Sequence, residues 1–400
     1  METSDLAPPP QMQDSPVNWL KKNLFSTWYN SLITGILLLI FASVVKNMVV
    51  WGTTQAQWEV ISANFRLFFM GRFTNTQTWR LWIVLGIISI LSGLSWGVIA
   101  RQVTRLFGSK VIIGIGVTCA VIAIFPIETS SKAILVSLVV LVLATAWGGK
   151  QLGKSKPQLG TWISTAWILS YFVVLWLLMG GLGLRAISTN LWQGLLLTVL
   201  MAVTGIVLCF PFGVLLALGR QSSLPVVRWL STVYIEVIRG VPLITILFMG
   251  QVMLPFFLPV GARPDRVVRA IVGLTMFSAA YLAENVRGGL QSLPRGQTEA
   301  AKALGLSTPL TLIFIILPQA LKSVIPAIVG QFISLFQDTT LLAIVGLVEL
   351  LGISRSILAN PKFIGRYGEV YLFIGIIYWL FCFAMSVASR RIEAKLNVEN

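Results

Sequence analysis

The sequence predicts an all-α integral membrane protein with about ten transmembrane helices. Of its 400 residues, 56% are hydrophobic and 11% are charged, whereas soluble domains carry about 25% charged residues. The mean hydropathy is +0.84. Apolar runs close to the roughly 20 residues that cross a bilayer recur along the whole chain. The polar segments between them are too short for a separate soluble domain.

Ten apolar runs are predicted membrane spans, five before Leu184 and five after it. They cover about residues 31–51, 80–100, 111–127, 132–149, 162–184, 191–219, 242–259, 267–288, 310–336 and 369–389. Residues 1–25 begin with a stretch rich in Pro, Gln and Asp and are predicted to form a disordered cytoplasmic N-terminus. Residues 26–186 then form an accessory five-span membrane region without a recognisable motif.

The net charge of +16 is explained by membrane topology. Basic residues fall mostly between the apolar runs, and the loops predicted to face the cytoplasm hold slightly more of them than the outer segments. Anionic lipid headgroups are the matching partner. Nucleic acid is not expected to bind.

The residue types present limit the chemistry. The sequence contains no His, which excludes histidine-based acid–base catalysis and argues against a zinc site. Cys119, Cys209 and Cys382 each lie in an apolar run without paired spacing, so neither a disulfide nor a metal site is predicted.

One segment matches the phosphate-loop pattern letter for letter, namely GGKQLGKS at Gly148–Ser155. That chemistry requires the loop to join a buried strand to a helix. Here the segment follows an apolar run, and Pro157 precedes another predicted span. It is interpreted as a basic cytoplasmic loop, and the chain is not expected to hydrolyse ATP.

The segment VRWLSTVYIEVIRGVPL predicts an amphipathic helix at the membrane interface. Arg228, Thr232, Glu236 and Arg239 share one helical face. Gly240 and Pro242 then form a structural elbow before the next span, with Pro242 suited to its first turn. This interpretation keeps Arg239 out of hydrocarbon, where a charge is costly; inside the bundle, it would be a functional candidate.

The segment EAAKALGLSTPLTLIFIILP, Glu299–Pro318, interrupts the apolar pattern. Glu299, Ala300 and Ala301 start a run of strong helix formers, and Gly305 suits a left-handed helix stop. Thr308 is predicted as the next N-cap, with Pro309 as the first helical residue. Pro318 and Pro326 are predicted to bend or break the helix that follows.

The spacing of Glu299, Ala300, Ala301, Gly305, Leu317 and Pro318 resembles the EAA signature of permease subunits in binding-protein-dependent ABC importers. The segments YIEVIRGVPLITILF, AAYLAENVRGGLQSLPRGQTEAAKALGLS and QDTTLLAIVGLVEL are similar to the polar amino-acid subgroup of that family. The resemblance implies a type I permease core of five helices over residues 187–400, with an ATPase-coupling helix at 296–308. The five earlier spans resemble the long permeases of the general L-amino-acid and glutamate/glutamine/aspartate/asparagine systems.

The resemblance also implies partners and a location. It implies a cytoplasmic ABC ATPase dimer, which binds ATP and Mg²⁺, a periplasmic amino-acid-binding protein and a second homologous permease. It places the chain in a bacterial inner membrane with both termini in the cytoplasm. The predicted outer face carries three arginines, Arg263, Arg266 and Arg269. They would contact either an acidic lobe of the binding protein or lipid headgroups, and both explanations stay open.

Polar residues inside apolar spans are costly and often mark a transport pathway. The candidates for substrate contact are Gln251, Ser278, Glu284, Asn285, Gln331, Gln337 and Asp338. A simple ion pair between Glu284 and Arg287 is an equally good explanation for Glu284. Caps or interhelical hydrogen bonds are at least as good for Gln331, Gln337 and Asp338.

Two other function classes fit the sequence less well than the importer does. An ion-gradient-driven secondary transporter of small polar solutes would suit the discontinuous helices near Pro242 and Pro318, but it predicts matching broken segments in the first half, which are not seen. An intramembrane enzyme would need converging catalytic groups such as a carboxylate pair or a Ser–Lys dyad, and the sequence offers no evident set.

Overall fold

The computed structural model describes residues 15–398 except 104, 157, 260 and 263. Over these residues it is built from α-helices and short turns, without a β-strand. The helices are α1 Pro16–Asn23, α2 Trp28–Val50, α3 Glu59–Met70, α4 Trp79–Ile99, α5 Ser109–Ile124, α6 Thr129–Ser155, α7 Leu159–Met179, α8 Gly194–Arg220, α9 Pro225–Gly240, α10 Leu243–Phe248, α11 Leu254–Phe257, α12 Arg266–Ser292, α13 Arg295–Ala303, α14 Thr308–Thr311, α15 Leu317–Ser323, α16 Ile325–Asp338, α17 Leu350–Leu358 and α18 Tyr367–Val398.

The chain divides into two compact units, one ending at Trp58 and the other covering Glu59–Asn400. The first contains α1 and α2. Ser15 starts α1 by accepting a hydrogen bond from the Asn18 backbone N–H, so the expected disorder of residues 1–25 is wrong for Pro16–Asn23. The rest of that expectation, residues 1–14, lies outside the described residues.

The structure confirms an all-α membrane protein. Within the described residues, eight helices are long and apolar enough to cross a bilayer, and α9 with α10–α11 forms a bent pair that raises the number to nine. These eight are Trp28–Gln55, Asn75–Ile99, Thr129–Ser155, Leu159–Met179, Gly194–Arg220, Arg266–Ser292, Ile325–Ala343 and Tyr367–Ala394. The predicted span 111–127 is the shorter apolar helix Val111–Ile124.

Two predicted spans have different bounds in the structure. The helix in the run 162–184 ends at Met179, because Gly180 adopts a positive φ of 82° that stops it. The run 310–336 is not one span. It contains the apolar helix Thr308–Ser323 and the spanning helix Ile325–Ala343. The two helices are separated at Val324, and Pro326, which has no backbone N–H to donate, lies in the first turn of the second helix.

The accessory region is held together by the close approach of α4 and α6. Gly93 and Gly97 of α4 face α6 so closely that a side chain at either position would clash with α6. Gly149 lies in the matching position on α6, where a Cβ would be 2.8 Å from the Leu94 carbonyl oxygen. The phosphate-loop match therefore consists of helical residues, and two of its three glycines, Gly149 and Gly153, pack against α4, which supports its rejection as a nucleotide site.

The core of the second unit is centred on α8 and α12. Both are buried along much of their length, with the fully buried Met201 and Leu274 in one apolar cluster. Phe73, Leu81 and Leu178, which come from the accessory region, join this same cluster. The predicted boundary between the accessory region and the permease core, at 186/187, thus lies inside one compact unit. The division into these two functional regions stays a prediction.

An element absent from the predicted spans, α3, connects the two halves of the sequence. It has 12 residues and packs Val60, Ile61 and Phe68 against an apolar cluster formed by α17 and α18. Glu59 at its start forms an ion pair of 2.8 Å with Lys362, and this hydrogen bond with the lysine lowers the pKa of Glu59.

Substitution of Gly149 tests the contact between α4 and α6. We expect Gly149→Leu to destabilise the protein by about 2 kcal/mol, because overpacking a tight helix contact typically costs 1–3 kcal/mol. The matched control is Gly148→Leu, since a Cβ at Gly148 meets no atom within 4 Å. Thermal unfolding of both variants in the same detergent measures the difference, and equal midpoints would contradict the packing assignment.

Candidate functional site

The segment 296–308 folds as predicted into a short helix with a sharp reversal. Helix α13 ends in a Schellman motif, in which the Leu306 N–H donates to the Ala301 carbonyl and the Gly305 N–H donates to the Lys302 carbonyl. Gly305 has a φ of 76°, a conformation that glycine adopts without strain. The glycine stop is confirmed, and it fixes the end of α13.

Helix α13 has one buried and one exposed side. Ala301 is 1% exposed and packs toward the segment that follows, and Gln319 donates a hydrogen bond of 3.4 Å to Gln297. Glu299 and Ala300 are exposed. Leu304 is 81% exposed at the end of the helix, where it presents a large apolar side chain beside small ones.

The return from α13 differs from the prediction by one residue. Ser307, rather than Thr308, is the N-cap of α14, and Pro309 lies one position later in the first turn. Proline is tolerated there because the first N–H groups of a helix lack intrahelical partners. A π-helical turn at Leu312–Ile316 then precedes Leu317 and Pro318 at the start of α15, so the predicted irregularity at Pro318 is confirmed.

A cluster of charged side chains lies near the same end of the bundle. Glu284 of α12 is paired with Arg220 at 2.6 Å, Arg287 at 2.8 Å and Arg239 at 3.6 Å. Its side chain is 15% exposed. Glu236 pairs with Arg220 at 2.8 Å and is 56% exposed. The pair between Glu284 and Arg287 was expected from the sequence, but the contacts with α8 and α9 were not.

The Arg239 side chain lies toward the helix bundle and is paired with Glu284. The predicted amphipathic helix is present as α9, and it meets the following helix at an angle of 103°. Gly240 ends α9, and Pro242 lies one residue before α10 rather than inside it. Arg239 reaches Glu284 and lies 5.3 Å from the Tyr281 ring, so its charge is paired rather than simply exposed at the interface.

The remaining pathway candidates are distributed over the structure. Gln251 is buried in the π-helical turn Met249–Met253, and its side-chain amide donates to the Arg266 carbonyl at 2.5 Å. The Arg269 guanidinium donates to the backbone carbonyl of Gln251. Ser278 is 1% exposed, and its hydroxyl has no partner among the described residues. These two residues lie on different sections of the bundle and form no common site.

The candidates toward α16 make interhelical or local contacts. Asn285 donates to the Ala327 carbonyl at 3.4 Å. Gln337 is exposed and donates to the Cys382 sulfur at 3.6 Å. Gln331 and Asp338 are half-buried. The structure therefore does not bring the seven candidates together at one site, and their role as substrate contacts stays a prediction.

A cavity of about 350 Å³ opens between α8, α9 and α12. Its lining is almost entirely apolar and includes Phe212, Tyr234 and Met276, while the Thr275 hydroxyl is buried without a described partner. None of the seven candidates lines it. An amino acid would find no charged partner on these walls, so its ammonium and carboxylate groups would be poorly satisfied there.

Arg80 and Glu349 are buried charged residues that were not predicted as site residues. Arg80 is 1% exposed and donates to the Leu177 and Arg185 carbonyls at 3.3 and 2.8 Å. Glu349 is fully buried as the N-cap of α17, where it accepts backbone hydrogen bonds from Leu351 and Gly352. It also accepts one from the Tyr378 hydroxyl at 3.1 Å. The Arg80 partners and the Tyr378 partner of Glu349 are distant in sequence and leave no local signal, whereas the cap contacts of Glu349 with Leu351 and Gly352 are local.

The described residues contain no group of three or more His, Cys, Asp or Glu side chains able to hold a metal ion. The three cysteines are free thiols, and only Cys209 is buried.

Comparison with known proteins gives consistent matches. The family described as "Binding-protein-dependent transport system inner membrane component" matches residues 209–398. The chain is 36% identical to the inner membrane amino-acid ABC transporter permease protein YhdY of Escherichia coli, over 95% of this chain and 92% of that one. It is 34% identical to the glutamate/glutamine/aspartate/asparagine transport system permease protein BztC of Rhodobacter capsulatus, over 98% and 96% of the two chains.

Shorter relatives match about half of this chain. The probable glutamine ABC transporter permease protein GlnP of Bacillus subtilis is 37% identical over 51% of this chain and 93% of its own. A solved structure of an amino acid ABC transporter with histidines is 29% identical, with a TM-score of 0.46, over 50% of this chain and 92% of that one.

The charged cluster predicts unequal roles for its two carboxylates. We expect Glu284→Gln to destabilise the protein by roughly 2 kcal/mol, because removing one member of a partly buried ionic cluster leaves its arginine partners uncompensated. Glu236→Gln is the matched control and should cost under about 1 kcal/mol, as exposed pairs contribute little. Thermal unfolding in detergent measures both, and an equal or larger loss for Glu236→Gln would contradict the assignment.

Proposed function

Because this chain belongs to the binding-protein-dependent family of amino-acid ABC transporter permeases, we propose that it moves amino acids inward by alternating access coupled to a separate ATPase. The chain is a multi-pass permease subunit of an importer and not an enzyme. The proposal assigns ATP and Mg²⁺ to the ATPase dimer and no cofactor to this chain. It places α13 and both termini in the cytoplasm.

The observation that carries this proposal is the form of α13. A Schellman motif ends the helix, Ala301 is buried, and Glu299, Ala300 and Leu304 are exposed. An amphipathic helix whose apolar side chains enter a groove is a common mode of recognition. We infer that the groove belongs to the ATPase, with Leu304 as the anchor. Residues Glu299–Gly305 and the Leu317–Pro318 bend then pass its movement to the bundle.

The substrate class is inferred from the full-length relatives. Both YhdY and BztC match nearly the whole of this chain, and BztC is named for glutamate, glutamine, aspartate and asparagine. We propose polar and acidic L-amino acids, or a broad range that includes them, as cargo. The cargo is delivered by a periplasmic binding protein, and a second, homologous permease completes a heterodimer.

Of the predicted pathway residues, Gln251 is the best supported. It is buried, and it lies beside Arg266 and Arg269, whose positive charges suit a carboxylate. Glu284 is less well supported, since both of its oxygens already face arginines. We propose that Gln251 is reached first by an amino acid entering from the end opposite α13.

The alternative is a secondary transporter driven by an ion gradient. The two proposals differ in the role of α13, because a secondary carrier needs no ATPase contact. A substitution confined to the exposed side of α13 therefore separates them.

Leu304→Asp tests the proposed ATPase contact. We expect the complex purified from its native host to contain an ATPase, and the variant to lose at least about tenfold in amino-acid-stimulated ATPase and uptake, as anchor residues dominate interfaces. The matched control is Leu182→Asp, which changes a leucine that is 94% exposed at the opposite end. Uptake that follows an ion gradient and ignores Leu304→Asp would favour the secondary transporter.

A further inference from the structure

The end of the bundle opposite α13 carries exposed arginines from both halves of the chain. Helices α8 and α12 both run from this end toward α13, with Gly194 and Arg266 at their starts. Arg66 and Arg72 come from α3 and the loop after it, and Arg266 starts α12. All three are exposed. We call this set the basic surface.

A series of contacts connects the backbone beside Arg72 to Arg266. Gly71 packs against Gln193 so closely that a side chain at Gly71 would clash with it. Gln193 donates to the Asn190 carbonyl at 3.1 Å, and Arg266 donates to the Asn190 side-chain oxygen at 2.6 Å. Arg72, the neighbour of Gly71, therefore lies on the same surface as Arg266.

The charge of the basic surface is only partly balanced by the chain. Arg66 donates to the Phe73 carbonyl at 2.7 Å, a contact that orients the guanidinium without neutralising it. Arg72 makes no ion pair or hydrogen bond with any residue that the structure describes. Asp265 is the nearby acid, and its oxygens accept hydrogen bonds from Thr189 and the Val267 N–H.

The position of the basic surface favours a protein partner over lipid headgroups. It lies at the starts of α8 and α12, the two helices at the centre of the core, and the Arg266 carbonyl accepts the hydrogen bond from buried Gln251. A partner seated there would cover the entrance to the proposed pathway. Headgroups contact the periphery of a bundle instead.

We propose that Arg66, Arg72 and Arg266 receive an acidic surface of the amino-acid-binding protein, and that the accessory half exists in part to extend this docking surface. The inference rests on the proposed function. It gives the N-terminal region a role: α3 packs on α17 and α18 by its apolar face, so Arg66 on α3 and Arg72 just after it lie beside the core.

The test uses the complete transporter in lipid nanodiscs and the amino-acid-binding protein that stimulates its ATPase. Stimulation is measured against the concentration of binding protein, at low and high salt. Arg72→Glu should raise the half-saturating concentration about tenfold at low salt, with basal ATPase unchanged, because charge complementarity acts on encounter and affinity. Arg72→Lys should behave nearly as the unmodified chain does.

The matched control is Arg101→Glu, which changes an exposed arginine of the same accessory half just after the opposite end of α4. It should leave the half-saturating concentration unchanged. A lysine substitution of an acidic residue on the binding protein that restores affinity to Arg72→Glu would establish the contact.

Two results would overturn the inference while leaving the importer intact. One is an unchanged half-saturating concentration in Arg72→Glu. The other is an effect that depends on the anionic lipid content of the nanodisc rather than on the binding protein, which would assign the basic surface to headgroups. An unmodified complex whose ATPase responds to no binding protein would instead contradict the proposed function itself.

Discussion

The carboxylate of Glu284 is the interaction on which the arrangement of the core depends. A charge in an apolar bundle is tolerated only when it is paired, and Glu284 pairs with Arg220 of α8, Arg239 of α9 and Arg287 of its own helix. Near this cluster α8 and α12 approach closely, since a Cβ at Gly213 would lie 2.5 Å from a Leu282 methyl group. Helix α13 follows α12 after Leu293 and Pro294, so its placement follows from that of the charged cluster.

The features that sequence reasoning predicted well are those with a local cause. Apolar runs of sufficient length must be helical in lipid, because every backbone polar group needs an internal partner. Gly305 marked a left-handed stop, because glycine adopts a positive φ without strain, and α9 ends at the predicted elbow, where the backbone becomes extended at Val241. Ser307 and Thr308 are adjacent residues that both suit a helix N-cap, and local rules do not choose between them. The predicted N-cap of α14 was therefore wrong by one residue.

The features that sequence reasoning missed depend on contacts between distant segments. Arg80 is buried because it meets carbonyl groups 97 and 105 residues away, and nothing near it in the sequence indicates that. Helix α3 has 12 residues and a mixed composition, so it resembles a loop until α17 and α18 provide its apolar partner. The pathway candidates do not form one site for the same reason. A polar residue within a span is energetically costly, but only the packing of the helices decides which partner forms its hydrogen bonds.

The two ends of the core present different side chains for contact, and this suits two kinds of partner. At the α13 end, Glu284 and Glu236 pair with Arg220, Arg239 and Arg287, and α13 presents small and apolar side chains such as Ala300 and Leu304 beside its exposed Arg295 and Lys302. Contacts of that kind gain from burial and shape, as in stable assemblies. At the other end, Arg72 and Arg266 keep their charge exposed. Exposed charge speeds encounter and is weakened by salt, which suits a partner that must arrive and leave in every cycle. An ATPase that contacts α13 and a binding protein that exchanges at the other end would therefore place different demands on the two ends of one pair of helices, α8 and α12.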